Sequence, residues 1–126
     1  MTAPRFEAAP PAAGPRVQGF SGRGFLVDGK VHDGLLLTPE TAQGWSPPAL
    51  ADLAVADVEP ALALDPPPEF LLLGTGTAMA FPPRAFAEAL EARGIGVEPM
   101  DSRAAARAWG LLRGEGRWIA AALMPL

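Results

Sequence analysis

A chain of 126 residues with 49% apolar residues and a mean hydropathy of +0.18 holds one domain with a real core. Two separate cores would leave too few residues for each, and wholesale disorder or a coiled coil is excluded. Cysteine is absent and His32 is the single histidine, which removes disulfides, thiolate and His-rich metal sites, iron–sulfur clusters and a cysteine nucleophile. A formal charge of −4 argues against nucleic acid and anionic membrane surfaces as partners.

Residues 1–19 carry four prolines and no periodicity. They are expected to form a mobile tail that docks late, if at all, ahead of a domain over residues 20–126. No apolar stretch follows Arg5, so a secretory signal is not expected. No run of about 18 apolar residues occurs, so no helix is expected to span a membrane.

Phe25 to Val27, Asp28-Gly29 and Val31 to Leu37 read as a β-hairpin, because Asp-Gly suits a type I′ turn. Pro39 ends its second strand, and Trp45-Ser46-Pro47-Pro48 reads as a loop with one large apolar anchor. A short helix is expected around Asp57 to Leu64, with Pro60 in its first turn. Asp65 and Pro66 to Pro68 then form a rigid connector.

Phe70 to Leu73 lacks alternation and reads as a strand buried on both faces. The loop Gly74-Thr75-Gly76-Thr77 follows. Pro82-Pro83 opens a helix to Arg93, with Phe86 and Leu90 inward and Arg84, Glu88 and Glu91 outward, and Gly94 stops it. Ile95 to Glu98 is a second strand, closed by Pro99. Asp101 or Ser102 caps the next helix, where Ala105, Ala108, Trp109 and Leu112 form one stripe and Arg103 and Arg107 another. Arg117 to Leu123 is the last strand. Strand–helix–strand–helix–strand is an α/β pattern, with a parallel pair across the first helix and a mixed sheet once the N-terminal hairpin is added.

Three places could carry chemistry. Gly74, Thr75 and Gly76 lie where open α/β sheets bind ligands, and two glycines with free N–H groups would suit an anion. The dinucleotide pattern fails there because Met79 stands at the third glycine position, and no Gly-Lys-Ser/Thr phosphate loop follows. A tight turn is the plainer reading. Met100 to Arg103 would face that loop across a crevice if the two strands are neighbours. Asp101 could then act as a base or polar anchor, with Arg103 or Arg107 holding an anion; the plainer reading is a helix cap and a solvated face. Glu115-Gly116-Arg117 is a turn in which Glu115 could pair with Arg113 or Arg117, a structural role. Trp45, Trp109 and Trp118 could be core residues or partner anchors. His32 reads as a solvated residue beside the hairpin turn.

Several of these pieces occur together in a known family. Leu72-Leu73-Gly74-Thr75-Gly76, Met100-Asp101-Ser102, Ala104-Ala105, Arg107, Leu112, Glu115-Gly116-Arg117, Ala120 to Leu123 and Pro125 resemble the Mth938-type domain. Gly24-Phe25 through Leu37, and Trp45, sit where that family has its hairpin and its tryptophan. The resemblance covers roughly residues 18–126. The family usually has Thr at Ser102, Cys at Ala106, Tyr or Phe at Trp109 and Asn at Gly110, so chemistry using the Cys and Asn side chains is not available to this chain.

The resemblance implies a single compact three-layer α/β domain with a mixed sheet, no cofactor and no established catalysis. It also implies protein contacts in respiratory complex I assembly, as for the family's mitochondrial member. The expected function is therefore a non-enzymatic interaction or assembly-factor domain. It would be cytoplasmic, reaching the inner membrane only through a respiratory-complex or assembly-protein partner. The alternative is a small-ligand or anion-binding domain, or a minor enzyme, with Gly74, Thr75, Gly76, Asp101, Ser102 and Arg107 in its crevice. A weak homodimer is expected through the hairpin or the Trp45 loop, because Leu35-Leu36-Leu37 must be covered by something.

Overall fold

The computed structural model describes residues 13–126. Strands β1 (Gly19–Ser21), β2 (Gly24–Val27) and β3 (Lys30–His32) form a small antiparallel sheet in that order. Asp28 and Gly29 have φ of 51° and 78°, the two positive values that a type I′ turn needs.

The expected second hairpin strand, 31–37, is broken at Asp33-Gly34. β4 (Leu35–Leu37) leaves the small sheet and enters a second one. Gly34 allows a close approach at the break: a Cβ there would overlap the Trp45 carbonyl oxygen, and Trp45 N–H donates to the Gly34 carbonyl at 2.9 Å. Leu35, Leu36 and Leu37 are buried within the chain, so they need no second copy to cover them. The reason given for a homodimer at this strand is thereby removed.

The second sheet adds β5 (Ala42–Gly44), β6 (Phe70–Gly74), β7 (Gly96–Met100) and β8 (Ala120–Leu123), in the order β5–β4–β8–β6–β7. It is mixed, as expected, but β4 rather than the hairpin makes it so. β8 runs antiparallel to β4, with Leu35 opposite Leu123, and parallel to β6, with Gly74 opposite Leu123. The last strand is shorter than expected and occupies the centre of the sheet. β7 runs parallel to β6 at the edge and continues through Pro99 to Met100. Gly96 N–H donates to Glu69 and Thr75 N–H to Met100. The even-numbered residues of β7 therefore bond to β6, and the N–H that Pro99 lacks falls on the open edge.

Three α-helices cover the large sheet: α1 (Val55–Leu62), α2 (Arg84–Glu91) and α3 (Ser102–Gly114). α1 begins two residues before its expected start. The Asp57 carboxylate accepts from Ala54 N–H at 2.9 Å and satisfies a donor at the new start. Pro60 consequently lies in the second turn, not the first. α2 closes with Gly94 at φ 79° and Ile95 N–H donating to Leu90.

Alternate residues of the central strands face opposite layers. Leu71, Leu73, Ala120 and Ala122 pack with Val58, Leu62, Phe86 and Leu90 from α1 and α2. Leu72, Ala121 and Leu123 pack with Ala105, Ala106 and Trp109 of α3 and with Phe25 and Val27 of the small sheet. Ala108 and Leu112, expected on the inner stripe of α3, are only half-buried; Ala106 takes a place there instead.

Residues 13–18 lie along α3. Arg113 donates to the Ala13 carbonyl, Trp109 Nε1 to that of Pro15 at 2.9 Å, and Arg16 to that of Gly110 at 3.0 Å. Gln18 N–H then donates to Leu26. This stretch, read from sequence as the end of a tail, is fastened to the domain. The expectation for residues 1–12 lies outside the described residues.

Candidate functional site

β6 and β7 are neighbours and parallel, so the loops at their carboxyl ends, Gly74–Thr77 and Met100–Arg103, do meet as the sequence suggests. They meet in direct contact. Thr75 N–H donates to the Met100 carbonyl at 2.9 Å. Gly76 N–H donates to Ser102 Oγ at 2.8 Å, and Ser102 N–H returns a bond to the Gly76 carbonyl at 2.8 Å. Ser102 Oγ donates its own proton to the Met124 carbonyl at 2.7 Å, while Met124 N–H donates to Gly74 at 2.9 Å. Ser102 is fully buried. A Cβ on Gly74 would stand 2.7 Å from Ser102 Oγ and 3.0 Å from a Leu123 methyl, so the glycine permits this closure.

The Thr75 and Gly76 amides expected to be free for an anion are thus occupied from within the chain. Thr75 Oγ1 donates to the Ala78 carbonyl at 2.7 Å and accepts from Ala80 N–H, bracing the loop ahead of α2. Gly76 has φ 101°, a value that favours glycine. The Asp101 carboxylate accepts from Ala104 N–H at 2.9 Å and is the N-cap of α3. Arg107 is exposed and lines a different depression, with Val17 to Phe20 and Ala106. Five of the six candidates come together; Arg107 does not join them in that lining.

At the Glu115–Arg117 turn the expected pairings are replaced. Arg117 pairs with Glu69 at 2.8 Å, and its guanidinium lies 5.6 Å from the Phe70 ring centre. That bond holds the Glu69 carboxyl below its ordinary range and Arg117 above its own. Arg113 turns inward to the Arg117 and Ala13 carbonyls. Burial first, and the charge of Arg16 second, hold its guanidinium below the usual arginine range. Each tryptophan indole donates to a backbone carbonyl: Trp45 to Asp57, Trp109 to Pro15 and Trp118 to Pro66. All three are fasteners of proline-containing or irregular segments. His32 is half-buried in β3. Among the described residues no group of three or more His, Cys, Asp or Glu gathers as a metal site would.

Sequence reasoning missed an apolar pocket of about 200 Å³ lined by Phe81, Pro82, Ala87, Val97 and Pro99. Phe81 is 77% exposed and Met79, in the same loop, 46%. The signal was the run Met79-Ala80-Phe81-Pro82, too apolar for an ordinary solvated loop.

Residues 17–124 match the family described as Protein of unknown function (DUF498/DUF598). A Bordetella pertussis protein described as a Mth938-like domain superposes with a TM-score of 0.76 at 25% identity, covering 99% of this chain and 90% of that one. The chain belongs to the Mth938-type family. A crystal structure of another family relative, from Bordetella parapertussis, gives a TM-score of 0.80 at 32% identity, over 92% of this chain and all of that one.

An uncharacterized protein of Rhodobacter capsulatus is 36% identical over 87% of this chain and 84% of its own length. NADH dehydrogenase [ubiquinone] 1 alpha subcomplex assembly factor 3 of Danio rerio is 34% identical over 90% of this chain and 66% of its own. The chain spans 60% of the length of the human and bovine assembly factors. The Mth938-type domain is thus shared between an uncharacterized bacterial chain and a longer NADH dehydrogenase assembly factor. Among the described residues no helix is long and apolar enough to cross a membrane.

Proposed function

We propose that this Mth938-type domain is a non-enzymatic protein-interaction module that serves the assembly of respiratory complex I. The observation that carries the reading is the likeness to assembly factor 3, which extends over 90% of the chain and so takes in every layer of the fold. The interior of the crevice is consistent with it, because Ser102 and Gly76 bond each other, Ser102 also bonds Met124, and Thr75 bonds Met100, Ala78 and Ala80. The Phe81 pocket offers a place for a partner's apolar side chain. In this reading the domain works in the cytoplasm, is brought to the inner membrane by its partner, and needs no cofactor. An anion site between Gly74–Thr77 and Met100–Arg103 has less behind it, since the Thr75 and Gly76 amides are already engaged.

The test is affinity capture of the tagged full-length chain from bacteria that make complex I, with the bound proteins identified by mass spectrometry. Complex I subunits or their assembly proteins should be enriched, and Phe81→Asp should reduce their recovery. Capture under mild conditions that returns none of them would overturn the proposal.

A further inference from the structure

Among the described residues, the outer face of α3 carries arginine charge that no ion pair answers. Residues 102–114 contain three arginines and no acid, in a chain whose formal charge is −4. Arg113 is turned inward, but Arg103 and Arg107 are exposed. The ion pairs found among the described residues, Arg93–Glu59 and Arg117–Glu69, involve neither of them. Leu111, one further turn along, is 67% exposed. Spacing of i, i+4 and i+8 places Arg103, Arg107 and Leu111 on one stripe about 12 Å long. A depression of about 120 Å³ runs beside it, between Val17–Phe20 and α3, with Ala106 and Arg107 in its wall. The Arg103 guanidinium already lies 4.9 Å from the Phe20 ring centre, which limits its freedom before any partner arrives.

We infer that the Arg103–Arg107–Leu111 stripe of α3 docks an acidic helical segment of a partner protein. Two carboxylates about one turn apart would meet the two guanidinium groups, and an apolar side chain a further turn on would cover Leu111. Opposite charge steers the encounter, and the apolar contact adds residence. A long polyanion is the poorer fit. Only two arginines are offered, and an exposed leucine continues the stripe. The inference rests on the reading of this domain as an interaction module, but it concerns a different surface from the Phe81 pocket.

The experiment is fluorescence anisotropy on the full-length chain. The probe is a labelled 15-residue helical peptide with glutamates at i and i+4 and a leucine at i+8; its counterpart has lysine for glutamate. The acidic peptide should bind at least ~10-fold more tightly than the basic one, and added salt should weaken it. Arg103→Glu with Arg107→Glu should cost ~10-fold or more, Leu111→Ser a few-fold, and Arg84→Glu on α2 nothing measurable. Arg107→Glu alone, whose side chain is exposed, keeps the test valid if the double variant folds poorly.

Equal binding of the two peptides, or unchanged affinity in the charge-reversed variants, would overturn the inference. So would binding of polyuridylate or anionic vesicles in preference to the acidic peptide. A dimer in light scattering that Arg107→Glu dissociates would assign the face to a second copy and overturn it as well. Capture of complex I proteins by a variant that no longer binds the peptide would sink this surface and leave the broader reading standing.

Discussion

Ser102 is one hydroxyl that closes three segments at once. It accepts from Gly76, donates to Met124, and sits at the first position of a helix whose cap is the preceding residue. Ser102→Ala leaves a buried N–H and a buried carbonyl without that partner, and a loss of about 2–3 kcal/mol in urea unfolding is expected. Gly74→Ala tests the same contact from the other side. Its methyl would stand 2.7 Å from Ser102 Oγ but also 2.9 Å from Ser102 Cα. Overpacking of this kind should cost about 1–3 kcal/mol. Adding Ser102→Ala should not rescue it, because the backbone contact remains. Rescue to the stability of Ser102→Ala alone would show that the loop yields more easily than the contact implies.

At the scale of elements, α1 carries a proline in its interior that nothing local requires. Pro60 is exposed, and its position in the second turn removes the donor that would bond Ala56. Pro60→Ala is expected to raise stability by about 1 kcal/mol or more, read as a higher urea midpoint. No gain would mean that proline's stiffening of the unfolded chain offsets the missing bond. Elements are also joined by two exposed ion pairs, Arg93–Glu59 between the turn after α2 and α1, and Arg117–Glu69 beside β6. The guanidinium hydrogen bond lowers both carboxyl pKa values in the folded state. Their contribution is therefore present above the ordinary glutamate range and disappears as pH falls through the lowered folded values. The melting temperature of the double variant Glu59→Gln, Glu69→Gln should depend less on pH in that acid window than the parent's. Added salt should shrink the difference, since both pairs face solvent.

The whole molecule is held by contacts far apart in sequence. Trp109 fills the α3 layer and its indole N–H reaches Pro15, which fastens the first described residues to the domain. Trp109→Phe keeps most of the buried area and removes that donor. The domain should stay folded by circular dichroism, while exchange of the Gln18 amide, which donates to Leu26, speeds up by about tenfold or more, the equivalent of one lost hydrogen bond. Unchanged exchange would show that Arg16 and Arg113, the other donors to this stretch or from it, hold it unaided.

What the sequence determined by itself was local. The Asp28-Gly29 turn, a helix cap at Asp101 or Ser102, the Gly94 stop and the doubly buried run at Leu71 to Leu73 each follow from φ preferences, end-group hydrogen bonds or apolar spacing within a few residues. The family was legible too, from short motifs spread over the chain. The adjacency of the Gly74 and Met100 loops followed from the strand–helix–strand pattern. Tertiary structure decided the rest. It placed β8 between β4 and β6, split the expected hairpin strand at Gly34, and fastened residues 13–18 to α3. It also turned Ser102 from a candidate ligand group into an internal bridge and sent Arg117 to Glu69 rather than Glu115. The physical reason is common to all of these. A backbone N–H, a hydroxyl or a guanidinium carries no local mark of which distant oxygen will satisfy it. That choice is made when burial on both faces of the sheet brings remote segments together, where a polar group left without a partner is costly.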